Sequence, residues 1–184
     1  MRNNLVTVFG GGRVAQESQL YRDCAELGAL LARAGFSVAT GGYYGSMEAV
    51  LHGAAEAGGH TVGFTCSIFD AALKPNGWVS EERKTGSMPA RIERMAVESD
   101  AFVVVHGGLG TLAELALVWD MILTGEVRVR PFVVVGQEWP QVVDSIRQHT
   151  QMGSSALNLL TFVDTHQAAA AHLQAALAES PAQG

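Results

Sequence analysis

The chain has 184 residues, of which 48% are hydrophobic and 16% are charged, and its formal net charge is −6. This length and apolar content predict a single domain spanning residues 1–184. The acidic balance, with lysine and arginine scattered along the chain, argues against the basic stripe that nucleic-acid binding normally needs.

Neither cysteine content nor hydropathy indicates export or membrane insertion. Cys24 and Cys66 are too few for a disulfide framework. The apolar run in the opening "MRNNLVTVFGGG" is too short for a signal peptide, and no run approaches the roughly 18 residues of a membrane span. We therefore expect a cytoplasmic protein with no membrane partner.

The first third of the chain alternates between short β-branched runs and helical patterns. "LVTVFG" predicts a strand over 5–10, ending in glycine. The apolar spacing from Leu20 to Leu31 predicts a helix over 17–35, closed by Gly35. The same logic predicts a strand at 36–42, a helix at 46–59 and a strand at 60–65.

Residues 66–87 interrupt this alternation. They lack periodicity, so we predict a long loop, which in a compact domain is more often functional than idle. The segment "MPARIERMAVESD" after it predicts a short helix over 88–100. Beyond it the predicted strands are 101–107, 130–136 and 157–163, and the predicted helices are 111–125, 139–150 and 165–180.

The apolar runs do not alternate with polar residues, which is typical of strands buried on both faces. The predicted fold class is therefore α/β: a Rossmann-like, three-layer αβα arrangement with a central parallel sheet. Ligands of such sheets bind at the carboxyl ends of the strands. Here those ends are 10–13, 40–46, 65–67, 106–111 and 136.

Two glycine clusters invite a dinucleotide-binding interpretation. Both "GGGRVA" (10–15) and "GLGTLA" (108–113) match the loose G-x-G-x-x-G/A pattern. That fingerprint also expects an acidic residue at the end of the second strand, and "ATGGYYG" has no carboxylate before Glu48. The G-x-x-x-x-G-K-[ST] signature of P-loop nucleotidases is absent from the sequence. We therefore disfavour both cofactor classes.

The cluster after the strand at 101–107 fits a monophosphate better. Gly107, Gly108 and Gly110 would let backbone N–H groups approach an anion, and Thr111 adds a hydroxyl. The following helix N-terminus supplies about half a positive charge. The alternative is that the glycines only make a tight turn, and the sequence leaves this open.

Glu114 also has two interpretations. Thr111 to Glu114 spells T-x-x-E, a capping box in which the glutamate only caps its helix. The same helix carries charge only at Glu114 and Asp120, so it should be buried, partly against another subunit. A carboxylate buried there beside an anion site would have a perturbed pKa and suit catalysis.

Complementary positive charge lies in "MPARIERM". Arg91 and Arg94 are three residues apart on one helix face. We expect one of them to contact phosphate or substrate through its forked donors. The alternative is a surface pair with Glu93 or Glu98. The histidines show no H-E-x-x-H spacing, and we predict neither a metal nor a cofactor.

These segments together resemble the Lonely Guy (LOG) family of cytokinin riboside 5′-monophosphate phosphoribohydrolases. "HGGLGTLAE" (106–114) is similar to the family's P-G-G-x-G-T-x-x-E, and "MPARI" (88–92) to its M-x-x-R-K. "GGYYGSM" (41–47) resembles a third family segment, G-G-x-x-G-x-M. The resemblance covers roughly residues 5–136.

The resemblance implies hydrolysis of the N-glycosidic bond of a nucleoside 5′-monophosphate, AMP or an N6-modified relative, to free base and ribose 5-phosphate. It implies catalytic roles for Arg91 and Glu114. The substrate-binding and phosphate-binding residues that we expect are Gly107, Gly108, Gly110, Thr111, Gly11, Gly42 and Met88. Members of the family are generally homodimers or larger, so the resemblance implies a homodimer with the site near the subunit interface.

Two positions depart from the family pattern. Ile92 stands where the family has lysine, and His106 where it has proline. Loss of the lysine favours an alternative function, a carrier resembling the molybdenum-cofactor carrier proteins, whereas retention of Arg91 and Glu114 favours the hydrolase. The sequence assigns no role to His106.

Overall fold

The computed structural model describes residues 3–178. Its strands are β1 Leu5–Phe9, β2 Ser37–Thr40, β3 Thr61–Gly63, β4 Glu81–Glu82, β5 Ala101–Val104, β6 Phe132–Val135 and β7 Thr161–Val163. They form one sheet in the order β4-β3-β2-β1-β5-β6-β7, and every neighbouring pair is parallel. The predicted parallel sheet is confirmed.

Helices cover both faces of this sheet. They are α1 Gln19–Arg33, α2 Ser46–Glu56, α3 Met88–Glu98, α4 Leu109–Leu123, α5 Glu138–His149, α6 Ser154–Leu157 and α7 His166–Ala178. One apolar cluster joins α1, α2 and α7 to one face, and a second joins α3, α4, α5 and α6 to the other. The three-layer αβα prediction is confirmed, with a core on each side of the sheet.

The structure corrects two of the predicted segments, the loop at 66–87 and the strand at 157–163. The segment 66–87 is not wholly a loop, since it holds a 3₁₀ turn at Ser67–Phe69 and the edge strand β4. β4 is two glutamates long, so it leaves no apolar pattern to detect. The strand predicted at 157–163 is shorter, because residues 154–157 form α6 and only Thr161–Val163 pair with β6.

Two predicted helices in the second half of the chain also have different boundaries in the structure. The helix predicted at 111–125 begins two residues earlier, at Leu109. The helix predicted at 165–180 is observed as His166–Ala178, and the last two predicted residues lie outside the described part of the chain.

Close packing of α1 on α2 fixes the loops that follow β1 and β2. A Cβ atom at Gly28 would lie 1.9 Å from the Val50 carbonyl oxygen, and one at Gly53 would lie 1.8 Å from that of Ala25. Only glycine permits this approach. At the start of α2, the Ser46 N–H donates to the Gly11 carbonyl at 2.9 Å. The two strand-end loops are thereby held together.

The strand order places a crevice between β1 and β5. β1 pairs with β2 on one side and β5 on the other, so the connections that leave β1 and β5 run in opposite directions. Such a switch point is where open α/β sheets bind ligands. The Gly11 N–H donates to the His106 carbonyl across this crevice at 3.2 Å.

Candidate active site

A cavity of about 900 Å³ opens at the switch point. Residues from five segments line it: 10–14, 43–47, 69–73, 88–91 and 106–114. The carboxyl ends of the sheet therefore carry the site, as the fold class predicts.

The cavity brings together nearly all of the predicted site residues. Those that line it are Gly11, Met88, Arg91, Gly107, Gly108, Gly110, Thr111 and Glu114. Residues separated by about 100 positions along the chain thus meet at one surface. Their roles in binding or catalysis stay predictions at this point.

Gly42 lies elsewhere. Within the described residues it is not part of the cavity lining, and its φ of +74° places it in a turn that favours glycine. Its N–H donates to the Thr40 hydroxyl at 3.0 Å, and its carbonyl accepts from the Asn76 N–H at 2.8 Å. The geometry gives Gly42 a supporting place beneath the site and does not match the predicted substrate contact.

Arg91 is buried, with 4% of its surface exposed, and lies one turn into α3. Ser87 starts this helix by accepting from the Ala90 N–H, and Pro89 occupies its first turn. The Arg91 Nε donates to the carbonyl of Phe64 at 2.7 Å. The guanidinium is therefore held at one edge, while Nη1 contacts the Met88 sulfur at 3.4 Å and Arg91 lines the cavity.

Gly41 makes room for this guanidinium. A Cβ atom at position 41 would lie 1.8 Å from Arg91 Nη2 and 2.6 Å from the Met47 sulfur. The Tyr43 ring lies on another side, with its centroid 5.8 Å from the Arg91 Cζ, at the range of a cation–π contact. The turn after β2 is thus shaped around Arg91.

Glu114 faces Arg91 inside the cavity. Its Oε1 lies 3.4 Å from Arg91 Nη2, beyond the usual length of a charge-assisted hydrogen bond. Burial raises the pKa of Glu114 to about 7, and the positive charge of Arg91 only partly offsets this. The carboxyl group therefore exchanges its proton near neutral pH, which suits acid–base work.

The capping-box interpretation of Glu114 is wrong. α4 begins at Leu109, its N-cap is Gly108, and no side chain caps it. Thr111 therefore lies in the first turn and Glu114 in the second, too far along the helix for Glu114 to reach back to the N-cap. The carboxylate is directed to Arg91 and the cavity instead.

The glycines at the start of α4 differ in what the local geometry requires of them. Gly108 and Gly110 lack a positive φ, and an added Cβ at either would meet nothing within 4 Å. Neither the backbone nor the packing of the described chain demands glycine there. Gly107 differs, since a Cβ there would lie 2.1 Å from the Thr111 hydroxyl. Open space at 108 and 110 favours close approach by a ligand over a purely conformational role.

The two candidate arginines occupy different environments in the structure. Arg94 Nε binds Glu98 Oε1 at 2.6 Å, with both side chains partly exposed. Arg94 thus matches the surface-pair alternative, and Arg91 is the one that lines the cavity.

Ile92 faces away from the cavity. Its side chain is buried in the apolar cluster that includes Met95 and Leu115. The side chain at 92 contributes to the core.

An apolar wall forms the side of the cavity nearest β2 and β3, and sequence reasoning missed its residues. Tyr44, Phe69 and Leu73 line it. The Tyr43 hydroxyl accepts from the Cys66 N–H at 2.9 Å, and Asn76 donates to the Tyr43 carbonyl at 2.6 Å. The segment 66–87 is thereby anchored as a fixed wall. Its aperiodic sequence signalled function but not which side chains would face inward.

Neither a cluster of metal-ligating side chains nor a membrane-spanning helix occurs in the described part of the chain. Among residues 3–178, no group of three or more His, Cys, Asp and Glu side chains is placed to hold a metal ion. Over the same residues, no helix has both the length and the apolar character to cross a membrane.

Comparison with known proteins places these features in a family. The model of the SLOG cluster4 family matches residues 3–151. The chain is 39% identical, over 112 residues, to a probable cytokinin riboside 5′-monophosphate phosphoribohydrolase of Oryza sativa subsp. japonica, covering 60% of this chain and 49% of that protein. It is 35% identical, over 103 residues, to the cytokinin riboside 5′-monophosphate phosphoribohydrolase of Mycobacterium tuberculosis, covering 55% of each.

A solved structure is similar over the whole length. The molybdenum cofactor carrier protein of Chlamydomonas reinhardtii superposes with a TM-score of 0.73 at 27% identity, covering 97% of this chain and all of that one. The chain spans about half the length of the first curated relatives it matches. Because the family match covers most of the sequence, the resemblance to LOG proteins is confirmed, and the chain belongs to the SLOG cluster4 family.

Proposed function

We propose that this protein hydrolyses the N-glycosidic bond of a nucleoside 5′-monophosphate, AMP or an N6-modified AMP, to free base and ribose 5-phosphate. The whole chain, 1–184, would act as one nucleotide-binding domain. The observation that carries the proposal is the buried Arg91–Glu114 pair, which lies in the same cavity as the open first turn of α4. The names of the relatives support the same reaction.

The phosphate would bind at the first turn of α4. The N–H groups of Leu109, Gly110 and Thr111 precede the first intrahelical bond, which the Leu112 N–H makes to the Gly108 carbonyl. The helix dipole adds partial positive charge to these donors. A phosphate held there anchors the sugar, so its binding energy serves orientation of the distant bond.

Glu114 would act on the sugar and on water. Breaking the bond from C1′ to the base leaves oxocarbenium character on the ribose, which an ionised carboxylate stabilises. The same carboxylate can take a proton from the water that attacks C1′. The bonding electrons leave with the base, which receives a proton as the new C1′ hydroxyl forms.

Arg91 would hold the substrate and balance charge. A guanidinium has five N–H groups, and the contacts with Phe64, Met88 and Glu114 do not use all of them. The remaining donors face the cavity and can bind ribose or the departing base. Gly41 and Tyr43 keep this group in place.

The base would stack against the apolar wall of Tyr44, Phe69 and Leu73. A cavity of about 900 Å³ lies near the upper end for small-molecule sites, so it has room for a base with an apolar substituent. This supports an N6-modified nucleotide as well as AMP itself.

A second candidate is a carrier that binds a nucleotide-like cofactor without cleaving it. The whole-length similarity to the Chlamydomonas reinhardtii molybdenum cofactor carrier favours it. The titratable Glu114 beside Arg91 favours the hydrolase, because pure storage needs no buried carboxyl with a pKa near neutrality.

The expected homodimer has support in the surface of α4. Leu109 is 83% exposed and lines the cavity, and Leu117 and Leu123 continue a largely apolar stripe along the same helix, which is interrupted by the exposed Asp120. Ala113 and Ala116 lie exposed between them. We propose that a second copy of the chain covers this stripe, which would bring the interface to the edge of the site.

One experiment separates the two candidates. Purified protein is incubated with AMP and with its N6-isopentenyl analogue, and free base and ribose 5-phosphate are measured beside Glu114→Gln and Arg91→Ala. Release that depends on both side chains supports the hydrolase. Tight binding of a monophosphate with no release supports the carrier, and undiminished release in both variants contradicts the assigned roles.

A further inference from the structure

His106 lies on the side of the cavity opposite the apolar wall. It follows β5, whereas Tyr44 and Phe69 follow β2 and β3, and β1 separates the two groups in the sheet. If the base stacks on the apolar wall, His106 stands at the phosphate end. This step rests on the proposed function.

The backbone of His106 is fixed while its side chain is accessible. Its carbonyl accepts from the Gly11 N–H, which ties together the loops after β1 and β5. Its side chain is 58% exposed and borders the first turn of α4 in the cavity lining. The imidazole can therefore meet a ligand without moving the loop.

Glu138 lies beside this imidazole. Its Oε1 lies 3.6 Å from His106 Nδ1. Gly136, with φ +107°, lets the carboxylate fold back over the loop after β6, since a Cβ at 136 would lie 2.7 Å from Glu138 Oε2. Trp139 anchors the same helix turn by donating to the Val105 carbonyl at 3.2 Å. His106 and Glu138 thus follow neighbouring strands, β5 and β6.

We propose that His106, oriented by Glu138, is a phosphate contact of this site. With Nδ1 turned to the carboxylate, Nε2 is free to present a proton to a phosphate oxygen, and an imidazolium does so with charge assistance. The other charged groups facing the cavity are Arg13 from the loop after β1, Arg91 from α3 and Glu114 from α4.

If His106 contacts the phosphate, the protein should bind phosphorylated ligands more tightly because of this residue, with no effect on unphosphorylated ones. A contact to phosphate strengthens binding of ribose 5-phosphate and leaves binding of adenosine unchanged. A proton donor to the leaving base would instead change the rate of bond cleavage and leave the affinity for ribose 5-phosphate unchanged.

The test measures the dissociation constants of ribose 5-phosphate and adenosine. The variants are His106→Gln and Glu138→Gln. The matched control is His60→Gln, because His60 also pairs with a glutamate, Glu81 at 3.2 Å, with similar exposure but outside this cavity. AMP turnover is recorded for each protein.

We expect His106→Gln to weaken ribose 5-phosphate binding about tenfold and Glu138→Gln to weaken it about threefold, with adenosine binding unchanged. His60→Gln should match the wild type. Equal losses for both ligands, a lower kcat with unchanged affinity, or no binding of ribose 5-phosphate by the wild type would overturn the proposal. Unchanged affinity in His106→Gln beside lost turnover in Glu114→Gln would reject this contact and leave the proposed hydrolysis standing.

Discussion

Arg91 Nη2 and Glu114 Oε1 are both buried and lie 3.4 Å apart, and the pair is not closed into a tight salt bridge. Burial raises the pKa of Glu114 to about 7 despite the neighbouring guanidinium. A buried ion pair is weak evidence for a stabilising role, because desolvation offsets the attraction. An incompletely paired, titratable carboxyl group beside a fixed arginine is better explained by chemistry on a ligand.

The first prediction concerns the pH dependence of hydrolysis. If the ionised Glu114 stabilises the sugar and activates water, kcat/KM rises with pH through a midpoint near the Glu114 pKa of about 7 and levels off above it. Glu114→Gln should lower the rate by about 100-fold or more and abolish this limb of the profile. If kcat/KM instead falls as the pH rises through about 7, Glu114 acts as a general acid.

The second prediction concerns stability. Burial raises the folded-state pKa of Glu114 above its ordinary value of 4.5, so folding favours the protonated form. This preference adds about 3 kcal/mol to the free energy of unfolding. The addition is fully present below about pH 4.5 and is lost as the pH rises through about 7. Glu114→Gln should therefore unfold at higher denaturant than the wild type at pH 8, and this gain should vanish near pH 4.5.

This pair also shows what the sequence could and could not predict. The apolar runs of β1, β2, β5 and β6 are bounded by turn residues, so the sheet and its strand ends follow from the sequence. The T-x-x-E spacing moved the predicted start of α4 from Leu109 to Thr111, because the actual N-cap, Gly108, carries no side-chain signal. Local sequence therefore left Glu114 undecided between capping and chemistry.

Other parts of the site depend on contacts between distant segments. Tyr44, Phe69 and Leu73 share a wall only because Tyr43 and Asn76 fasten the segment 66–87 to the turn after β2. Arg91 and Arg94 were indistinguishable by spacing, and only the position of α3 against β3 buries one and exposes the other. Periodicity carries no information about such contacts.

The third prediction concerns Gly41. Gly41→Ala places a methyl group where Arg91 Nη2 lies, so the guanidinium must shift. We expect unfolding to become easier by about 2 kcal/mol and activity to fall with it. Gly77→Ala is the control, since a Cβ at Gly77 meets nothing within 4 Å. Wild-type activity in Gly41→Ala would show that the position of Arg91 is unimportant.

The fourth prediction concerns Gly110. Alanine at this helical position should raise the free energy of unfolding by up to about 1 kcal/mol, because alanine is the better helix former. The added methyl group crowds the first turn of α4, so binding of ribose 5-phosphate should weaken. Calorimetry of the same variant measures both effects. A more stable variant with unchanged affinity for ribose 5-phosphate would contradict phosphate binding at this turn.

The fifth prediction concerns assembly. Leu117→Asp introduces a charge into the apolar stripe of α4 and should shift the protein from dimer to monomer, as measured by sedimentation. Val142→Asp is the matched control, because Val142 has the same 37% exposure but lies on α5. A monomeric wild type, or a dimer that survives Leu117→Asp, would contradict the proposed interface.

The most direct test of the central claim is the release of adenine and ribose 5-phosphate from AMP by wild type and Glu114→Gln, measured together at about pH 8, where Glu114 is ionised. We predict equal amounts of the two products from the wild type. The Glu114→Gln variant should fold and still bind AMP, but it should release the products at a rate at least about 100-fold lower. Equal release by the two proteins, or none from the wild type with AMP or its N6-isopentenyl analogue, would contradict it.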